Sequence, residues 1–134
     1  MPFLIDTNVA IHLRDGEPSI IARLDALSAQ PEMSILTRVE LEGGVYSRPE
    51  LTARRRTAVD TLLARIKIHP FDSGTASAYR DILAACGFTR SRVTDRMIAA
   101  TAIVHGLTLI TINGADFRDI PGLVLEIWPS PTPQ

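Results

Sequence analysis

With 134 residues, 46% of them hydrophobic, the chain is long enough to bury one sizeable core, and one domain is the default expectation. Its formal charge of −1 excludes a bulk attraction to nucleic acid, so any such binding must come from a local basic surface or from bound cations. The lone cysteine, Cys86, excludes an intrachain disulfide and a thiolate metal cage, and a reducing cytoplasm is the simplest compartment.

The start, Met1-Pro2-Phe3-Leu4-Ile5-Asp6, lacks a basic segment and meets an acid too early for a signal peptide, and no later apolar run approaches membrane-spanning length. Phe3 to Ile5 reads as a strand, and Asp6-Thr7-Asn8-Val9-Ala10 as a turn into a helix. Ile20, Ile21, Leu24 and Leu27 keep helical spacing. Met33 to Leu36 is a second strand, running into a helix that carries Glu40. Arg54-Arg55-Arg56 lies on a helix and reads as a solvated face. Val59, Leu62, Leu63 and Ile66 again keep helical spacing, followed by a strand at Ile66 to Ile68. After the apolar run Ala84-Ala85-Cys86-Gly87-Phe88, Thr94-Asp95 opens a helix through Ile98, Ala102 and Val104-His105 to Gly106. Leu107 to Ile112 and Leu123 to Ile127 close the strand set. Several strands are apolar on both faces, as in a covered parallel sheet. Strands alternating with helices predict a three-layer α/β/α sandwich with a mainly parallel sheet of about five strands. The folded unit spans residues 1–128, and the Pro-rich tail 129–134 is expected to fray.

Open parallel sheets collect their chemistry outside the carboxyl ends of the strands. Asp6 directly follows the first strand, Glu40 follows the second, and Asp116 follows Leu109-Ile110-Thr111-Ile112-Asn113. Asp95 sits at a helix start. Each acid alone has a bland reading as a helix cap, with Thr37 and Glu40 at capping-box spacing. Together they would bring four carboxylates to one side of a sheet whose strands lie about 4.8 Å apart. Such a cluster repels itself unless pKa values rise or a cation binds. Hard oxygen donors at this density suit Mg²⁺ or Mn²⁺ and metal-assisted phosphodiester hydrolysis by an activated water.

Asp6-Thr7-Asn8, Thr37-Arg38-Val39-Glu40-Leu41, Asp95-Arg96-Met97-Ile98-Ala99-Ala100-Thr101-Ala102 and Thr111-Ile112-Asn113 with Asp116-Phe117 resemble, in order and spacing, the acidic motifs of VapC-type PIN domains. The resemblance covers residues 2–128. It implies a Mg²⁺- or Mn²⁺-dependent endoribonuclease, the toxin of a toxin–antitoxin pair, working as a homodimer and inhibited by a VapB-like antitoxin. Asp6, Glu40 and Asp95 match the acids that bind metal, Asp116 the more variable fourth, Thr7 the hydroxyl beside the first acid, and Asn113 the polar residue supporting the fourth. Glu42 competes with Glu40, but two residues along a helix it faces elsewhere. The segment before Asp95 carries more arginine than the pattern, and Arg90, Arg92 and Arg96 are candidate RNA contacts. His12, His69 and His105 share no ligand spacing, and Trp128 reads as a core or dimer-contact aromatic.

Two other readings predict different behaviour. A small Mg²⁺-dependent phosphohydrolase using Asp6 as nucleophile would want a second aspartate where Asn8 stands. A non-catalytic α/β interaction module would use the acids as caps only, and metal would not stabilise it.

Overall fold

The computed structural model of the protein describes residues 2–131. In chain order the elements are β1 (Phe3–Ile5), α1 (Thr7–Arg14), α2 (Pro18–Asp25), β2 (Met33–Ser34), α3 (Ile35–Ser47), α4 (Thr52–Arg65), β3 (Ile68–His69), α5 (Ser73–Cys86), α6 (Val93–His105), β4 (Thr108–Thr111) and β5 (Leu125–Ile127). Short 3-10 turns occupy Pro49–Leu51, Arg90–Arg92 and Gly114–Asp116.

All the ladders are parallel: β1-β4-β5 form one three-stranded sheet and β2-β3 a two-stranded one. The two abut through a single parallel bridge between Leu4 and Glu32, where the Ile5 N–H donates to the Glu32 carbonyl at 2.9 Å and the Glu32 N–H to the Phe3 carbonyl at 2.8 Å. The spatial order is therefore β3-β2-β1-β4-β5, with the first strand near the centre. Each strand is shorter than its apolar run suggests, for identifiable reasons. The run Met33 to Leu36 stops at Ser34, because the Ser34 hydroxyl accepts the Leu36 N–H at 3.0 Å and caps α3. Ile66 belongs to the end of α4, where its N–H still reaches the Leu62 carbonyl at 3.0 Å, so β3 begins only at Ile68.

Alternation along the strands divides the core in two. Ile5 and Ile110 join Val9, Ile20, Leu41, Val45 and Val59 on the side of α1–α4. Leu4 and Leu109 join Ile82, Ile98 and Phe117 on the side of α5 and α6. The result is the expected three-layer α/β/α sandwich. Helix α6 departs from a one-faced pattern: Ala99, Ala100 and Ala102 are all buried, while Val104 is exposed. Small side chains let α6 pack closely against both α5 and the sheet. Trp128 ends the fold in the core, its N–H on the Thr111 carbonyl at 2.9 Å and its indole beneath the Arg23 guanidinium at 5.8 Å. The fraying expected of 129–134 concerns, from Thr132 onward, positions outside the described residues. No described helix is long and apolar enough to cross a membrane.

One glycine fixes the turn after β4. A Cβ on Gly114 would lie 2.3 Å from Ile127 Cδ1 and 2.8 Å from Cγ1. Ile127 is exposed enough for its outer methyl to turn away, but it is β-branched, and Cγ1 at 2.8 Å and Cγ2 at 3.3 Å still crowd the position. Gly114→Ala is expected to destabilise the fold by about 1–3 kcal/mol, and Ile127→Ala in the same chain to recover most of the loss. Urea titration of the four proteins decides this, since simply additive losses would remove the contact as the cause.

Candidate active site

Asp6 follows β1 at the carboxyl edge of the sheet and caps α1, its Oδ1 accepting the Thr7 N–H at 2.8 Å. Its Oδ2 accepts the Thr111 hydroxyl at 2.8 Å, from the last residue of the neighbouring strand β4. The residue is 4% exposed, and burial pushes its pKa up to about 6, with Asp95 and Glu40 adding repulsion and the two hydrogen bonds pulling the other way. Asp6 is thus both a helix cap and an uncomfortable buried carboxylate. The capping role accounts for one oxygen and leaves the desolvation uncompensated.

Glu40 does not sit in the first turn of its helix, as its sequence position suggests. Ser34 is the cap, so Glu40 falls in the second turn of α3, exposed, and the Thr37–Glu40 capping box does not form. Thr37 is instead fully buried, its hydroxyl 3.1 Å from that of Thr7, and the Thr7 hydroxyl donates to Glu40 Oε1 at 2.5 Å. Thr7 therefore ties the second acid to the first. Glu42 is otherwise engaged, paired with Arg56 at 2.7 Å and Arg38 at 3.4 Å, which hold its carboxyl below the usual range. The choice of Glu40 over Glu42 rests on that difference.

Asp95 lies in the first turn of α6, half-buried. Desolvation raises its pKa above the ordinary carboxylate value, Asp116 and Glu40 raise it further, and Arg92 opposes them. Asp116 closes the 3-10 turn after β4, 4.0 Å from the Arg92 guanidinium, which also donates to the Asp116 carbonyl at 3.3 Å. The four acids predicted from sequence thus feel one another across three strand ends and a helix start. Among the described residues, however, no group of three His, Cys, Asp or Glu side chains is gathered closely enough to enclose a cation unaided. Four carboxylates do not form a ready-made cage. The donor set still fits a partly hydrated ion: it is all hard oxygen, and Mg²⁺ keeps several waters while taking one or two carboxylates and substrate phosphate.

Three supporting residues escaped the sequence reading. Thr111 Oγ1 donates to Asp6 and accepts the Asn113 N–H at 3.0 Å. Asn8 lies beneath it, with its amide 3.5 Å from Thr111 Oγ1 and its Oδ1 accepting the Ile112 N–H at 3.4 Å. Asn113, expected to support the fourth acid through its side chain, contributes its backbone: its N–H goes to Thr111, and its carbonyl accepts the Asp116 N–H at 3.1 Å. Thr37 is the third. A polar triplet directly behind an apolar strand, and a threonine ending the opposite strand, were the available signals.

The arginines divide. Arg90 is exposed and Arg92 about one-third exposed, so both can meet a ligand. Arg96 cannot: at 3% exposure its guanidinium turns inward, donates to the Gly87 carbonyl and faces Asp119 at 3.9 Å, while its Nε has no partner. It braces the loop between α5 and α6 and is withdrawn from the candidate RNA contacts. Arg55 and Arg56 likewise serve structure, on the Gly44 carbonyl at 2.9 Å and on Glu42 and Asp60. His69 and His105, unconnected in sequence, stack with ring centroids 4.1 Å apart beside Glu32.

This geometry has counterparts among known proteins. The family model described as "PIN domain" matches residues 3–123. Ribonuclease VapC2 of Rickettsia felis is 29% identical over 134 residues, covering 96% of this chain and 98% of that protein. The tRNA(fMet)-specific endonuclease VapC of Shigella flexneri is 27% identical with the same coverage. Among solved structures, VapBC2 from Rickettsia felis bound to a promoter DNA fragment superposes with a TM-score of 0.83 at 26% identity, over 96% of this chain and 99% of the other. A family-model match over residues 3–123 of 134 means that the chain belongs to the PIN domain family.

Proposed function

We propose that this chain is a toxin endoribonuclease that hydrolyses RNA phosphodiesters with the help of Mg²⁺ or Mn²⁺ and is held in check by a VapB-like antitoxin. One observation carries the reading: a buried carboxylate, Asp6, destabilised by desolvation and by two neighbouring acids at the open edge of the sheet. Such a group carries its charge near neutrality at a cost in stability, and a bound cation offsets that cost. The named relatives are nucleases matched across nearly their whole length, and a toxin–antitoxin complex from Klebsiella pneumoniae superposes with a TM-score of 0.71 at 29% identity, which supports the toxin–antitoxin assignment.

In this reading Asp6, Glu40 and Asp95 hold the cation, with Asp116 as a fourth oxygen donor. When bound, the cation supplies activation of the attacking water and neutralises charge at the scissile phosphate. Thr7 fixes Glu40, Thr111 and Asn8 fix Asp6, and Arg92 restrains Asp116. Arg90 and Arg92 draw the RNA backbone towards the acids, which the chain's overall charge does not do. The toxin works in the cytoplasm, as a homodimer.

Because water and not the ribose 2′-hydroxyl attacks, the products are expected to carry 5′-phosphate and 3′-hydroxyl ends. Cleavage of a structured RNA in Mn²⁺, abolished by EDTA, with ends that accept ligation directly would support this; cyclic phosphate ends would contradict it. The interaction-module reading takes Asp6 as a cap and Asp95 and Asp116 as first-turn acids, and leaves the burial of the Asp6 carboxylate without a purpose. It predicts no metal-induced rise in melting temperature.

A further inference from the structure

An exposed aromatic outside both core clusters lies on the loop that leads into the helix carrying Asp95. Phe88 is 67% exposed, between Gly87, which turns the chain at φ +79° after α5, and the 3-10 turn Arg90–Arg92. Its exposure is not that of a loose loop. The Gly87 N–H reaches the Leu83 carbonyl at 2.8 Å, the buried Arg96 guanidinium holds the Gly87 carbonyl, and the Arg92 N–H closes on the Thr89 carbonyl at 3.0 Å. The Cys86 thiol donates to the Asp119 carbonyl at 3.4 Å and Arg92 to the Asp116 carbonyl at 3.3 Å, which staples this loop to the turn carrying the fourth acid. An aromatic ring is thus presented to solvent on a braced support, flanked on its C-terminal side by two arginines with free surface.

Phe88 lies seven positions before Asp95, and the rises of extended, 3-10 and α-helical backbone limit that path to roughly 16 Å. That is the span of a few nucleotides. Interleaved aromatic and cationic side chains along such a path suit a single strand: bases stack on the ring and phosphates lie on the arginines. A base inside an A-form helix has no free face to offer.

We infer that Phe88 is a base-stacking platform for an unpaired nucleotide a few positions from the cut, with Arg90 and Arg92 on the intervening phosphates. This rests on the endoribonuclease reading above and adds to it a subsite on the loop before Asp95. The test uses the full chain with Asp6→Asn, so that RNA stays intact. The probes are a single-stranded oligoribonucleotide carrying 2-aminopurine and the same strand annealed into a duplex.

Phe88→Ala is expected to weaken single-strand binding about tenfold, to abolish the stacking-induced change in fluorescence, and to leave the weaker duplex binding unchanged. Phe88→Tyr restores both. Arg90→Ala weakens both forms and lowers the salt slope by about one. Unchanged single-strand affinity in Phe88→Ala, or an equal loss for duplex, overturns the inference. A change in sedimentation with RNA binding intact also overturns it and assigns the ring to a protein interface. The endoribonuclease reading fails separately, if the chain with Asp6 intact cleaves no single-stranded RNA in Mn²⁺ and none of these proteins binds the strand.

Discussion

Asp6→Asn is expected to act in two opposite directions, lowering RNA cleavage by about 10²-fold or more while raising the stability of the metal-free fold at neutral pH. The loss follows from the role proposed for the carboxylate, since a cation contributes several kcal/mol of charge stabilisation in the transition state, and each 1.4 kcal/mol is about tenfold in rate. The gain follows from burial. Asp6 has a pKa near 6 in the fold against 3.8 for the ordinary side chain. Between those values the folded chain holds a proton that the unfolded chain has released, so stability falls as pH rises from about 4 to about 6 and stays low above it. At pH 7 the full penalty amounts to about 3 kcal/mol at most, and an amide does not incur it. The recovered fraction is smaller than that, because Thr111 Oγ1 already accepts from Asn113 and the amide reproduces only part of the bond to it.

Thermal melts in EDTA at pH 4, 6 and 7 measure this directly. The native chain should lose melting temperature across that range and the variant should lose less. Saturating Mn²⁺ should then reverse the order, because an ion at about a hundred times its Kd adds about 2.7 kcal/mol to a protein that binds it. The variant lacks the charge that holds the ion. An Asp6→Asn protein that is less stable than the native chain in EDTA at pH 7, and still cleaves RNA, would remove Asp6 from the site. Such a trade of stability for function is what a strained active-site group predicts.

How much of this was legible in the sequence depends on how local the cause is. Asp6 and Asp95 were legible because each stands at a junction that the chain itself marks, a strand end and a helix start. The layer order was legible because apolar runs alternated with helical spacing. Strand lengths were not: whether Ile35 continues β2 or opens α3 is decided by the Ser34 hydroxyl reaching Leu36, one hydrogen bond that spacing does not foretell. Helix α5 carried little signal, since its alanines and serines mark no strong apolar stripe, although Asp72 caps it at Thr75 and Gly87 ends it. The arginines were legible as charge but not as direction. Arg90 and Arg96 read alike in sequence, and only packing turns one to solvent and the other onto Gly87 and Asp119. Thr111 escaped because its task is set by residues more than a hundred positions away.

That long-range tie yields the second prediction. Thr111→Val keeps the shape of a fully buried side chain and removes the hydroxyl on which Asp6, Asn113 and Asn8 converge. A buried polar group that loses its partner costs about 1–3 kcal/mol, and more when it is charged, so a destabilisation of about 3 kcal/mol is expected at pH 7. The sign of the pH effect is also set. The Thr111 bond lowers the Asp6 pKa, so its loss moves that pKa further up and carries the destabilising window beyond pH 6. Thr111→Ser, which retains the hydroxyl, should restore most of the stability and the pH profile. The decisive measurement is the double variant with Asp6→Asn. If Thr111 acts through the carboxylate, removing the charge first makes the loss of the hydroxyl cost much less, and the two changes fail to add by 1 kcal/mol or more. Additivity would mean that Thr111 serves only the Asn113 turn, and that Asp6 is oriented by the helix it caps.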